Sequence, residues 1–224
     1  MRKLEWMPVL LALLLAGLCL TGLAGCAERG GDTAALGTER NEPVTAPDGP
    51  LTEGELKYFN EEFFNSGYFN LRNQFLTSVY ETPADIDLFE LFYNGDGQEE
   101  TMTDEEWAAF EEAGGFIETD VTKISTIWAD AVLKEHTGLT LAETNQAGLD
   151  NFIYLPEYDA YYMAHGDTNY LNEVVFVSGE WKDGLIRLYY ADEVSGARKC
   201  VSLRETAEGG YHFVSNMFCD EPVS

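Results

Sequence analysis

Positive charge is what this chain has least of. It carries 13 Lys and Arg against 40 Asp and Glu, a formal net charge of −27. Nucleic-acid binding rests on Lys and Arg neutralising phosphates, so this balance argues against that partner. It also argues against a domain lying flat on anionic lipid, which attracts basic clusters. Histidine is scarce, with three residues, and there is no HExxH, no paired His at ligand spacing and no Cys cluster. A nucleophile elbow is missing: Phe176-Val-Ser178-Gly179 has Phe where G-x-S-x-G needs its first Gly. There is no Gly-rich phosphate loop, since Gly209-Gly210 reads as a hairpin turn. No cofactor is expected. Beyond residue 25 no long apolar run remains.

One such run is present before it. Met7 to Gly25 is uncharged and mostly apolar, with Arg2 and Lys3 ahead of it and Glu5 diluting that positive start. Positive n-region, apolar h-region and small residues before a cysteine are the layout of a secretory signal. Leu23-Ala24-Gly25-Cys26 resembles the lipobox of bacterial lipoproteins. The resemblance implies a signal peptide over 1–25, cleavage before Cys26 and a diacylglycerol on its thiol. Two acyl chains give stable attachment, because each buried methylene adds about 0.8 kcal/mol and one chain is marginal. The implied location is the extracytoplasmic face of the cell membrane. Two competing readings stay open. The run is near the roughly 20 residues that a membrane-spanning helix needs, although Pro8, Gly17 and Gly22 weaken such a helix. A plain signal peptide cut near Ala24 is the other.

Setting aside Arg2, Lys3 and Glu5 leaves 11 basic and 39 acidic side chains in residues 26–224. Such charge keeps a tethered domain soluble and can raise the local cation concentration. Residues 27–50 hold almost no large apolar side chain, so 26–50 reads as a lipidated Cys and flexible tether. At Gly-rich coil dimensions, such a tether reaches about 25–30 Å. Residues 51–224 suit a single domain with enough Phe, Tyr and Trp for a sizeable core.

Local signals divide that domain into a helical half and a strand half. Thr52 with Glu55 and Thr103 with Glu106 are capping boxes that open helices. Leu56, Phe59 and Phe63 follow the first at helical spacing, and Trp107 and Phe110 follow the second. Pro83 starts another helix with Ile86, Phe89 and Phe92 or Tyr93 inward. Asp120 is expected to cap a fourth, with Ile124, Ile127, Trp128, Ala131 and Val132 inward and Gly138 at its end. Leu139 to about Gly148 is a candidate fifth. Glu173–Trp181, Leu185–Ala191, Lys199–Glu205 and Tyr211–Phe218 are β-rich and separated by turn residues. Short connections imply antiparallel neighbours. The expected fold is α+β, with N-terminal helices packed on a C-terminal antiparallel meander of about four strands. Tyr158–His165 is a candidate further strand of that meander.

Two constellations are candidates for binding. Tyr158, Tyr161 and Tyr162 with His165 and Asp167 combine aromatic planes with polar groups, which suits sugar or peptide binding. Alternation puts Tyr158, Ala160 and Tyr162 on one strand face and Tyr161 and Met163 on the other, and one face must be core. Asn94, Asp96, Gln98 and Glu105 fall at positions 1, 3, 5 and 12 of a calcium loop. That pattern departs at position 1, which is Asn, and at position 6, where Glu99 replaces Gly. A turn followed by a capped helix explains the same letters. Cys200 and Cys219 could pair in an oxidising compartment. With a turn at Thr206–Gly210, however, Cys200 faces roughly Ser215, four residues short of Cys219. Two buried thiols are the alternative. His136 closes a helix, where a cation would favour the dipole.

Ile86-Asp-Leu-Phe-Glu-Leu-Phe-Tyr93, Tyr158-Asp-Ala-Tyr-Tyr162 and Tyr211-His-Phe-Val-Ser215 make the domain similar to uncharacterised lipoproteins of anaerobic Gram-positive bacteria. That resemblance implies no activity and no catalytic residue. The expectation is a non-enzymatic lipoprotein, membrane-held through Cys26, that binds a peptide, a glycan or an envelope protein. The alternative is a hydrolase of envelope or extracellular polymers working through a carboxylate pair.

Overall fold

Side-chain caps start two helices where the sequence places them, whereas Pro83 opens only a 3-10 turn, Pro83–Asp85. The Thr52 hydroxyl accepts from the Glu55 N–H, and the Glu55 carboxylate accepts from the Thr52 N–H, opening α1 (Glu53–Tyr58). A π-helical turn, Phe59–Phe63, continues it, and Phe64 N–H closes onto the Phe59 carbonyl. In that wide turn Phe59 and Phe63 are both buried, and Phe64 follows them in. The computed structural model describes residues 46–67, 70–95, 101–116, 118–166, 173–192 and 195–219. Asn70 caps α2 (Leu71–Gln74), and Asp87 caps α3 (Leu88–Phe92) by accepting from the N–H groups of Phe89 and Glu90. Thr103 and Glu106 form the second capping box, at α4 (Asp104–Glu112).

Asp120 does not cap a helix. Asp120–Ser125 is a strand, β2, and the helix α5 (Thr126–Thr137) begins only after Ser125 caps it. Val121, Thr122 and Ile124 are β-branched residues that suit a pleated, half-buried surface. The partners that hold them extended, Ala164, Met163 and Tyr161, lie far downstream and leave no local mark. Ile127, expected inward, is 78% exposed. Gly138 ends α5 at φ +80°, a left-handed cap. Two short 3-10 turns, Leu141–Glu143 and Leu149–Asn151, stand in place of the expected fifth helix.

Two antiparallel sheets result. The larger orders β1 (Gly49–Pro50), β5 (Phe176–Lys182), β6 (Leu185–Ala191), β7 (Arg198–Glu205) and β8 (Tyr211–Phe218). The meander of β5 to β8 is as expected. Its fifth strand is not: Gly49 and Pro50, read as tether, pair with Trp181 and Glu180. Pro50 is tolerated there because an edge strand needs no inner N–H donor. The smaller sheet orders β2, β4 (Ala160–His165) and β3 (Ile153–Leu155). Thus the Tyr158–His165 segment contributes its strand to a separate sheet and not to the meander.

One face of the larger sheet meets the helices. Phe75 stacks on Phe213 at 4.5 Å, Phe63 meets Tyr211 edge-on at 5.3 Å, and Phe64 lies 4.7 Å from Phe176. A second, smaller core gathers Phe110, Leu155, Ala160 and Tyr162 beneath α4. Beyond the short β1, side chains close the edge of β5. The Asn65 carboxamide donates to the Val174 carbonyl and accepts from the Val174 N–H.

Candidate functional site

Helix α4 is anchored by one face and offers the other. Glu106 and Phe110 are buried against the small sheet. The Glu106 carboxylate accepts from the Tyr162 hydroxyl at 2.6 Å, from the Thr103 N–H at 2.7 Å and from Lys123 Nζ at 2.8 Å. Burial alone would push its pKa up, but the bonds from Lys123, Tyr162 and Thr103 hold it down at about 2. This buried network fixes the rotation of α4 on β2 and β4.

With that rotation set, Asp104, Trp107, Ala108 and Glu111 form one stripe at i, i+3, i+4 and i+7. They line an open depression of about 410 Å³. On the other flank of the same indole lies a second, of about 430 Å³, lined by Thr101, Met102, Thr119, Asp120 and Val121. Trp107 is therefore a wall shared by two shallow depressions. Asp104 and Glu111 stand on one side of it and Asp120 on the other. An indole face can stack on an apolar ring face, and the flanking carboxylates can accept hydroxyl or ammonium protons. Trp107 was read in the sequence only as an apolar helix position. The acids sharing its stripe are the signal that could have marked it.

The expected aromatic site is divided by the pleat. Tyr158 packs with Phe110 and Trp107 around the smaller core. Burial first, and then Glu157, Glu105 and Glu106, push its pKa up. Tyr162 lies on the same face but is fully buried beneath the helix, so it is a core residue with no surface to offer a ligand. Tyr161 points to the opposite face, packs on the main core and meets Tyr154 at 4.8 Å. The Tyr154 hydroxyl donates to Asp159, whose carboxylate also accepts from the Thr126 hydroxyl. His165 closes β4 opposite Asp120. Asp167 lies outside the described residues.

The calcium-loop residues are likewise split. Asn94 donates its amide to Gln74 at 3.0 Å, and Glu105 is exposed in the first turn of α4. Asp96 and Gln98 lie outside the described residues, as does Cys26. Among the described residues no group of three His, Cys, Asp or Glu could hold a metal ion. No helix among them is long and apolar enough to cross a membrane. His136 is not a helix-end cation. It is buried edge-on against the stacked pair of Phe75 and Phe213, and that burial pushes its pKa down to about 4. Cys200 and Cys219 are not joined by a disulfide. Cys200 faces Met217 and not Ser215, and a bulge between Ser202 and Leu203 accounts for one of those two positions.

No family model matches this chain, and neither the curated proteins nor the solved structures include a match to it.

Proposed function

We propose that this chain is a lipoprotein, held at the extracytoplasmic membrane face through a lipid on Cys26, whose Trp107 surface binds a neutral or amine-bearing glycan. The observation that carries the reading is the placement of one indole between two shallow depressions, with carboxylates on both sides. Stacking on the indole would select a ring, and the acids would accept its hydroxyl or ammonium groups. The same acids would repel anionic polymers. A binding role is favoured over hydrolysis by the direction of the carboxyl shifts. A glycosidic general acid needs a raised pKa. Every described carboxyl group that clearly departs from its ordinary value (Glu55, Glu106, Glu143, Asp159 and Asp192) departs downward.

The test is calorimetric titration of the purified chain with neutral, amino-sugar and uronic-acid oligosaccharides. Binding of the first two, abolished in Trp107→Ala and absent for the third, is the expected result. Equal binding by Trp107→Ala sinks the proposal. Mass spectrometry of the membrane fraction tests the anchor separately. An acylated Cys26 N-terminus is expected, and an intact Met1 N-terminus rules it out.

A further inference from the structure

The outward face of the larger sheet gathers three sulfur atoms. Successive strand residues point to opposite faces. On β7, Val201 and Lys199 are buried on the inner side, so Cys200 between them points outward. On β8, Asn216 is fully buried, so Met217 points outward, directly opposite Cys200. Cys219, two residues past Met217, returns to the same face. Its N–H donates to the Arg198 carbonyl at 3.1 Å, which keeps it in register just beyond the end of β8. Cys200, Met217 and Cys219 are therefore a cross-strand pair and its diagonal neighbour. All three are half-buried.

A disulfide fits this arrangement poorly. Diagonal neighbours on adjacent strands have Cα atoms about 7–8 Å apart, whereas bridged cysteines rarely exceed about 7 Å. A metal ion between the two sulfurs adds two bonds of about 2.3 Å each and spans the extra distance. The donor set selects the ion. Thiolate and thioether sulfurs favour soft Cu(I), and the cluster lacks the four nitrogen or thiolate ligands of a structural zinc site. Arg187 also points outward, one strand over and opposite Ser202. Burial and the neighbouring Cys219 push the Cys200 thiol up to about 11, and the Arg187 charge opposes them and offsets the negative charge of two thiolates around a monovalent ion.

We propose that Cys200, Met217 and Cys219 form a three-sulfur site for Cu(I). Binding forms two copper–thiolate bonds and one copper–thioether bond and releases the two thiol protons to solvent. Copper stays monovalent and no electron moves.

The test uses the full chain in detergent, oxygen-free, in a Cys19→Ser/Cys26→Ser background so that the remaining thiols are the two in question. Cu(I) is supplied as its bicinchoninate complex, and uptake is read from the loss of the chelator colour. One Cu(I) per chain is expected. Loss of a second-shell partner costs a metal site 10–100-fold, so losing a direct ligand in Cys200→Ser or Cys219→Ser should weaken binding by more than about 100-fold. Met217→Leu keeps the volume without the sulfur, so it should weaken binding with the thermal melt unchanged. No uptake, or uptake unchanged in the Cys200→Ser/Cys219→Ser variant, overturns the proposal. So does a chain isolated from cells with Cys200 already joined to Cys219.

Discussion

Asn60 acts towards Phe176 as a strand would. Its carboxamide accepts from the Phe176 N–H at 2.8 Å and donates to the Phe176 carbonyl at 2.9 Å, although 116 residues separate the two. Asn65 repeats the pattern at Val174. Together with the Leu51 N–H on the Gly179 carbonyl, these groups engage Val174, Phe176 and Gly179 in turn along the outer edge of β5 and the residues before it. An unpaired edge is a template for another chain, and here side chains close it without adding a strand.

Replacing Asn60 with Leu strips both partners from Phe176 at once. A buried donor or acceptor left unsatisfied costs about 1–3 kcal/mol. Urea unfolding should show a loss of roughly 2–4 kcal/mol for Asn60→Leu, with faster aggregation by light scattering. A variant within about 0.5 kcal/mol of the parent, in the range of ordinary surface substitutions, would mean that the edge does not depend on Asn60.

Glu106 ties α4 to the small sheet and should give the fold an acid limit. Its pKa is held at about 2 against an ordinary 4.5. A carboxyl depressed in the folded state stabilises fully above its unfolded pKa. That stabilisation is lost as pH falls from about 4.5 to about 2, and it amounts to roughly 3 kcal/mol. Stability measured across this window should fall less steeply in Glu106→Gln. At neutral pH the same variant takes the carboxylate charge away from half-buried Lys123 and should lose about 1–3 kcal/mol.

His136 acts in a different window. Burial disfavours its charged form, with its pKa lowered to about 4 from 6.5. Glu135 opposes that shift, while Arg72 on α2 and His212 on β8 add to it. The unfolded chain therefore takes up a proton that the folded chain refuses between about pH 6.5 and 4. Stability should decline as pH drops through that interval and be unaffected by this group above it. His136→Phe should flatten the decline, and an unchanged slope would remove His136 as its source.

Gly148 is the position least able to accept a side chain. Its φ is +81°, and a Cβ would approach Asp87 Oδ1, Phe89 Cβ and the Phe89 backbone nitrogen far inside contact distance. Those are the groups of the α3 cap. Gly148→Ala combines left-handed strain of about 1–3 kcal/mol with loss of a cap worth about 1 kcal/mol. Its urea midpoint should fall well below that of Gly209→Ala, where φ is +82° but nothing lies within 4 Å.

What could be read in advance was local. Both capping boxes involve residues three apart, and both form. Leu185–Ala191 and Tyr211–Phe218 are strands with the bounds their period and flanking turns set. The missed features depend on partners distant in sequence. Ile124 sits at helical spacing from Ile127 and Trp128, and only the ladder to β4 makes Asp120–Ser125 a strand. Gly49 and Pro50 read as tether until Trp181 and Glu180 lie beside them. Trp107 reads as core and does pack on the smaller core, and only the Glu106 network leaves part of its indole lining the two depressions.

The sequence by itself therefore determined the α+β order, the two helix starts at capping boxes and the meander. Caps, turns and alternation are settled by forces between residues a few positions apart. Tertiary structure alone decided the second sheet, the side-chain closure of β5 and the placing of half-buried Trp107 between two depressions. The bulge beside Ser202 belongs with these: one extra residue in β8 brings Met217 opposite Cys200 and Cys219 onto the same face. These features need backbone ladders and side-chain bonds that join distant segments, and no local pattern encodes which segments will meet.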